Sequence, residues 1–178
     1  MFRKKRGRVG KADPSGHDDL VRRDFSATAL NRLWLTDITE HATGQRWLYL
    51  RAVKDVFSNR IVGYSIDAWM KPRLSVTALD NAVARREHVA GGILHSDRGS
   101  QCRSRKFVRT LDRHRMAGST DRVGAAGDNA AKESFFSLLQ KNVLDRRIGT
   151  IREKLRISIV TWNERTSTAA EGKPHSAA

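Results

Sequence analysis

At 178 residues, with 39% hydrophobic and 30% charged residues, the chain has the length and balance of one soluble globular domain. No apolar run approaches the ~18 residues of a membrane span. The basic start "MFRKKRGRVG" lacks the apolar core of a secretion signal, and the single cysteine, Cys102, excludes an internal disulfide or a cysteine-rich zinc site.

A net charge of +15, from 34 Lys+Arg against 19 Asp+Glu, points to a polyanionic partner, nucleic acid before a merely basic surface or the ribosome. The bacterial cytoplasm, with association to the nucleoid, is the expected compartment. Residues 1–11 carry Arg3, Lys4, Lys5, Arg6, Arg8 and Lys11 without an acid, and no apolar periodicity starts before Leu33. Residues 1–30 therefore read as a basic flexible arm or linker.

Order is expected from "LWLTDIT" (33–39), where bulky and polar residues alternate as in a half-buried strand. "RWLYLRAVKDV" (46–56) repeats the pattern, "SN" at 58–59 supplies a turn, and "RIVGYSID" (60–67) gives a third strand of an antiparallel meander. "KPRLSVTALDNAVARRE" (71–87) opens a helix with Pro72 and aligns Leu74, Ala78, Leu79, Ala82 and Val83 on one face. "GGILHS" is a short buried strand, and "SRKFVRTLDRHR" (104–115) is a basic helix with Phe107, Val108 and Leu111 inward. "MAGST" is a candidate fifth strand. "RVGAAG" (122–127) is a loop, and helices follow over 128–144 and 151–165. The order βββ-α-β-α-(β)-α-α predicts an α/β domain over 31–165. Its architecture is a ribonuclease H-like mixed five-stranded sheet flanked by helices, although periodicity alone admits other α/β folds. Residues 166–178 read as a disordered or degenerate tail.

Three acids occupy independent elements: Asp37 on the first strand, Asp97 at the end of the fourth, and Glu133 early in the helix after the Gly/Ala loop. Each has an ordinary reading, as an outward strand residue, a turn cap or a helix-dipole partner worth ~0.3–1 kcal/mol. In a meander with one crossover, the first and fourth strands are neighbours. Three carboxylates sharing that edge would repel unless a divalent cation compensated them, and oxygen-only ligands favour Mg²⁺ or Mn²⁺. The interval from Asp97 to Glu133 is 36, leaving 35 residues between, and 59 separate Asp37 from Asp97.

With that spacing, the stretches "NRLWLTDIT", "LYLRAVKDVFSNRIVGYSID", "ILHSDRGSQ" and "GDNAAKESFFSLLQKNVL" resemble the catalytic core of insertion-sequence transposases of the retroviral-integrase type. The resemblance runs from about Leu20 to Arg165. It implies a polynucleotidyl transferase using two Mg²⁺ or Mn²⁺ ions, with Asp37 bridging them and Asp97 and Glu133 as outer ligands. It also implies nicking of element ends and strand transfer to target DNA, by a homo-oligomer assembled on DNA and without a membrane. A ribonuclease H-like nuclease and a catalytically silent DNA-binding remnant are the alternative readings. Relatives carry upstream helix-turn-helix segments and a downstream aromatic, arginine-rich stretch. Here a basic linker stands at one end and "STAAEGKPHSAA" at the other. A truncated or frame-disrupted copy is therefore expected, which a separate or upstream helix-turn-helix part would complete.

Around the triad, His95 is expected to support the site or to pack against the helix of Glu133. Asp128 and Asn129 cap that helix and so place Glu133. Asp55 starts the hairpin turn rather than binding metal. Arg98, Arg103, Arg105, Lys106, Arg109 and Lys141, followed by Arg146 and Arg147, are candidates for DNA contact, against the alternative of a solvated face. The family often has a Lys or Arg two turns after its catalytic Glu; here Gln140 stands there, with Lys141 one step on. Trp34 and Trp47 are assigned to the core, Trp162 closes the last helix onto the sheet, and Cys102 is a small filler.

Overall fold

The computed structural model describes residues 18–96, 101–120, 137, 139–144 and 151–169. Alternating bulky residues on the first three strands build a continuous antiparallel meander: β1 (Leu33–Thr43), β2 (Arg46–Asp55) and β3 (Ile61–Asp67). β1 runs beyond the 33–39 read from alternation because β2 pairs with it all the way from Trp34↔Asp55 to Thr43↔Arg46. The tight turn is held by Thr43 Oγ1, which donates to the Arg46 carbonyl and accepts from Gln45 N at 3.2 Å.

The chain then crosses through α1 (Pro72–Ala84) to β4 (Ile93–Ser96), and through α2 (Arg105–Arg113) to β5 (Ala117–Thr120). β4 pairs parallel to β1 and β5 parallel to β4, giving the order β3-β2-β1-β4-β5. The expected mixed five-stranded sheet and the central place of β1 are both observed.

Strand alternation divides the core into two faces. On one, Trp34, Val53, Val62 and Leu94 meet Ala78, Leu79 and Ala82 of α1 and Phe107 and Leu111 of α2. Val83 and Val108, expected inward, are only partly buried. On the other, Leu48, Leu50, Ala52 and Ile61 are covered by Leu139, Val143, Leu155 and Ile159. Those last four come from two places. Leu139 and Val143 belong to a helical stretch whose end, Gln140–Leu144, is π-helical rather than the α-helix expected; Leu155 and Ile159 belong to α3 (Arg152–Ala169).

α3 continues past the Arg165 limit read from sequence. Glu164 clamps it to the meander edge, accepting from Tyr64 Oη and Arg85 Nη2, both at 2.9 Å. The Arg85 bond, more than any other contact, holds the Glu164 carboxyl below its ordinary value.

Residues 18–30, assigned to the arm by sequence, lie against the sheet. Val21 is buried with Leu33 and Leu35, Phe25 and Ala27 pack beside them, and Leu20 N donates to Ser119 Oγ at 3.0 Å. Trp34 is fully buried as expected, but Trp47 is 48% exposed, a correction to its core assignment. It lies at the hairpin end of β2, one residue before the first buried residue of that strand. Trp162 packs against the α3-side cluster.

α1 approaches β3 closely because Gly63 carries no side chain. A Cβ there would meet the backbone of Ala82, and the Ala78 carbonyl oxygen at 2.6 Å. Gly63→Val is therefore expected to destabilise the fold by about 1–3 kcal/mol or more, since backbone rather than a pliable side chain must move. Urea unfolding should show a lower midpoint at unchanged slope.

Candidate functional site

Asp37 sits in the middle of β1 and is partly exposed, and its Oδ1 accepts from Ile38 N at 2.8 Å. Its partner on β2 is Ala52, too small to cover it. Ala52 also belongs to the cluster formed with Leu139 and Val143. The helical stretch after Glu133 in sequence therefore packs on the face of the sheet that Asp37 occupies.

On the other side of β1, β4 runs parallel in the register Leu33↔Ile93 to Thr36↔Ser96. The described pairing stops one residue before Asp37 on one strand and one before Asp97 in the sequence of the other. This seam, where the meander gives way to crossovers, is the kind of strand-end position at which open α/β sheets bind ligands. Asp97, Arg98, Asp128, Asn129 and Glu133 lie outside the described residues, as do Arg146 and Arg147. Among the described residues no three His, Cys, Asp or Glu side chains gather as a metal site.

His95 is buried opposite Leu35 on β1 and Ser119 on β5. Its Nδ1 lies 3.0 Å from Ser119 Oγ, and Phe25 meets the ring edge-on at 5.5 Å and 73°. The contacts of this histidine thus reach the N-terminal stretch and β5.

Asp55 is fully buried and accepts four hydrogen bonds: Oδ2 from Asn31 N at 2.8 Å and Trp34 Nε1 at 3.0 Å, Oδ1 from Ser58 N at 2.8 Å and Ser58 Oγ at 2.9 Å. It closes the β2–β3 turn, as its position in "KDVFSN" suggested.

Two cations on β2 went unremarked in the sequence. Arg51 is 1% exposed, donating from Nε to Thr36 Oγ1 at 3.0 Å and from Nη2 to Cys102 Sγ at 2.7 Å. Cys102 is thus buried, as a filler would be, and is also an acceptor. Lys54, 6% exposed, lies opposite Leu35 on the Asp37 face, where burial pushes its ammonium pKa down. Both could have been flagged, because each is a charge at a strand position whose neighbours two residues away are apolar.

Burial likewise holds the His41 imidazole below its ordinary pKa; this residue lies on the same face of β1 as Asp37, and its Nε2 is 3.2 Å from Thr39 Oγ1. The basic candidates divide between the two faces. Arg105, Lys106 and Arg109 are exposed on α2, whose Phe107, Thr110 and Leu111 are buried on the side away from Asp37. Arg103 is partly buried just before α2, and Lys141 is exposed on the π-helical stretch covering the Asp37 face.

Residues 27–126 match the model of the integrase core domain. Transposase InsF of insertion sequence IS3A from Escherichia coli K12 is 35% identical over 147 residues, covering 83% of this chain and 51% of that protein. The putative transposase InsK of element IS150 from the same strain is 37% identical over 139 residues, covering 78% and 48%. The chain thus spans about half the length of these relatives.

Among solved structures, the HTLV-2 integrase catalytic core domain in complex with magnesium superposes with a TM-score of 0.57 at 18% identity. It covers 78% of this chain and 86% of that one. A chain of the simian T-cell lymphotropic virus intasome in complex with PP2A regulatory subunit B56 gamma gives a TM-score of 0.63 at 17% identity, covering 96% and 63%. At these identities the likeness concerns the fold, which is ribonuclease H-like.

Proposed function

The chain belongs to the integrase core domain family, and from that premise we propose that it is the catalytic core of an insertion-sequence transposase. It nicks DNA at the ends of its element and joins the freed 3′ ends to target DNA. The observation that carries this reading is the parallel pairing of Thr36 with Ser96. Continued by one residue, that register would set Asp37 beside Asp97, at the roughly 4.8 Å spacing of neighbouring strands. Leu139 and Val143, packed in one cluster with Ala52, support an approach of the Glu133 segment from the same face.

Asp37, Asp97 and Glu133 would hold Mg²⁺ or Mn²⁺, two ions in the active complex. The donor set fits: it is all carboxylate oxygen, suited to hard cations, and Asp37 stays partly open above the small Ala52. When bound, such ions activate a water or a 3′-hydroxyl and stabilise the oxygen that leaves phosphorus. The protein's own part is to hold the carboxylates in place. Asp37 is fixed on a central strand and oriented by Ile38 N, and Asp128 and Asn129, as helix caps, would place Glu133.

DNA is the partner that the +15 charge fits. Lys141, on the stretch whose Leu139 and Val143 pack on the Asp37 face, would meet the reacting strand, while Arg98, Arg103, Arg105, Lys106 and Arg109 would hold phosphates farther along. Such contacts position DNA without reading it. Recognition of the element ends falls to a helix-turn-helix part, separate or upstream, within a homo-oligomer assembled on DNA. The work is done at the bacterial nucleoid. Among the described residues no helix is long and apolar enough to cross a membrane.

Strand transfer from pre-nicked ends, assayed with Mn²⁺, tests the proposal. Wild type should form joined products and Glu133→Gln should fall to background. Equal product from both proteins would sink the assignment.

A further inference from the structure

Arg51 is an unusual residue for the middle of a buried strand. It is 1% exposed, and neither of its two described acceptors, Thr36 Oγ1 and Cys102 Sγ, is an acid. Its Nη1 is buried and has no hydrogen-bond partner among the described residues. Keeping a guanidinium out of water on such terms is costly, and local rules broken at a cost tend to mark function.

The two groups it does hold adjoin, in sequence, the two acids of the proposed site. Thr36 immediately precedes Asp37, and its hydroxyl in turn donates to the Ala52 carbonyl at 2.8 Å. Cys102, fully buried among Trp34, Val53 and Phe107, comes five residues after Asp97, at the point where the chain turns towards α2. We infer that Arg51 is a positioning residue, a brace beneath the sheet that ties the strand of Asp37 to the segment following Asp97. The carboxylates would then be held at one separation before any cation arrives. The inference rests on the assignment of those two acids made above. The fork of the guanidinium suits the task, since Nε and Nη2 reach two acceptors in fixed directions from one rigid plane.

The test compares the full chain as wild type, Arg51→Met, Cys102→Ala and Cys102→Ser, with two readouts. The first is amide hydrogen exchange of the metal-free protein. Arg51→Met and Cys102→Ala should speed exchange in the 101–104 turn about 10-fold or more while α1 keeps its wild-type rate. The second is strand transfer against Mn²⁺ concentration. The same two variants should need about 10–100-fold more Mn²⁺ for half-maximal rate. At saturating Mn²⁺ their rates should return to near wild type.

Cys102→Ser keeps an acceptor and should stay close to wild type in both readouts. Should Arg51→Met fail to fold, the contrast between Cys102→Ala and Cys102→Ser makes the same comparison. Unchanged exchange and unchanged Mn²⁺ dependence would overturn the inference, as would exchange raised equally in α1, the mark of general destabilisation. A wild type with no Mn²⁺-dependent strand transfer would instead overturn the proposed function, leaving the exchange comparison to decide whether the brace exists.

Discussion

Asp37→Asn is expected to reduce strand transfer to background while leaving the metal-free melting temperature unchanged or slightly higher. Asparagine is isosteric and keeps an oxygen to accept from Ile38 N, so the strand loses little. On the proposed site, where Asp97 and Glu133 would share that edge, removing one negative charge would also relieve repulsion in the protein without metal. The loss shows when Mn²⁺ is added. At free Mn²⁺ about 100 times its dissociation constant, binding adds about 2.7 kcal/mol to the stability of wild type. For a chain of this size that raises the melting temperature by roughly 5–10 °C. Asp37→Asn should lose most of that rise along with activity. A variant that melts far lower without metal, and still gains the full rise with it, would assign Asp37 a structural role and leave the metal elsewhere.

The sheet was legible because its strands alternate and the turns between them are short. "LWLTDIT" and "RIVGYSID" state which face is apolar, and a meander followed by a crossover leaves β1 central with β4 beside it. The face of α1 was equally readable from Leu74, Ala78, Leu79 and Ala82, all of which are buried.

Alternation says which side a residue takes, however, and not whether anything covers that side. Trp47 was misassigned for that reason: it occupies the hairpin end of β2 and stays exposed. The same blindness hid Arg51, which is buried against Cys102, a residue remote in sequence, and Lys54, which is buried opposite Leu35. The place of β1 in the sheet put Asp37, in mid-strand, beside the seam at which β4 ends. The companions Asp97 and Glu133 were legible as spacing, and their convergence remains the proposal that the variants above test.

Asp55→Asn should do the reverse of Asp37→Asn, although the two acids sit on paired strands and the substitution is chemically the same. The carboxylate of Asp55 is fully buried and its two oxygens accept from four donors, two at each oxygen. An amide has one oxygen. Whichever way the asparagine is turned, its NH₂ faces two donors, either Asn31 N and Trp34 Nε1 or Ser58 N and Ser58 Oγ. Only the Ser58 hydroxyl can rotate to accept instead. At least one N–H is left without an acceptor, at about 1–3 kcal/mol, and hydrogen bonds to a charged acceptor are lost at about 1.5–3 kcal/mol each. The sum is about 4 kcal/mol or more, a fall in melting temperature of roughly 10 °C or more. The Mn²⁺-induced rise should persist in whatever fraction stays folded, because Asp55 holds the turn and the Trp34 ring rather than a cation. Metal-free melting and the Mn²⁺ shift, measured side by side on the two variants, therefore separate the acid that maintains the fold from the acid that serves the chemistry. A stable Asp55→Asn protein that no longer responds to Mn²⁺ would reverse the two assignments.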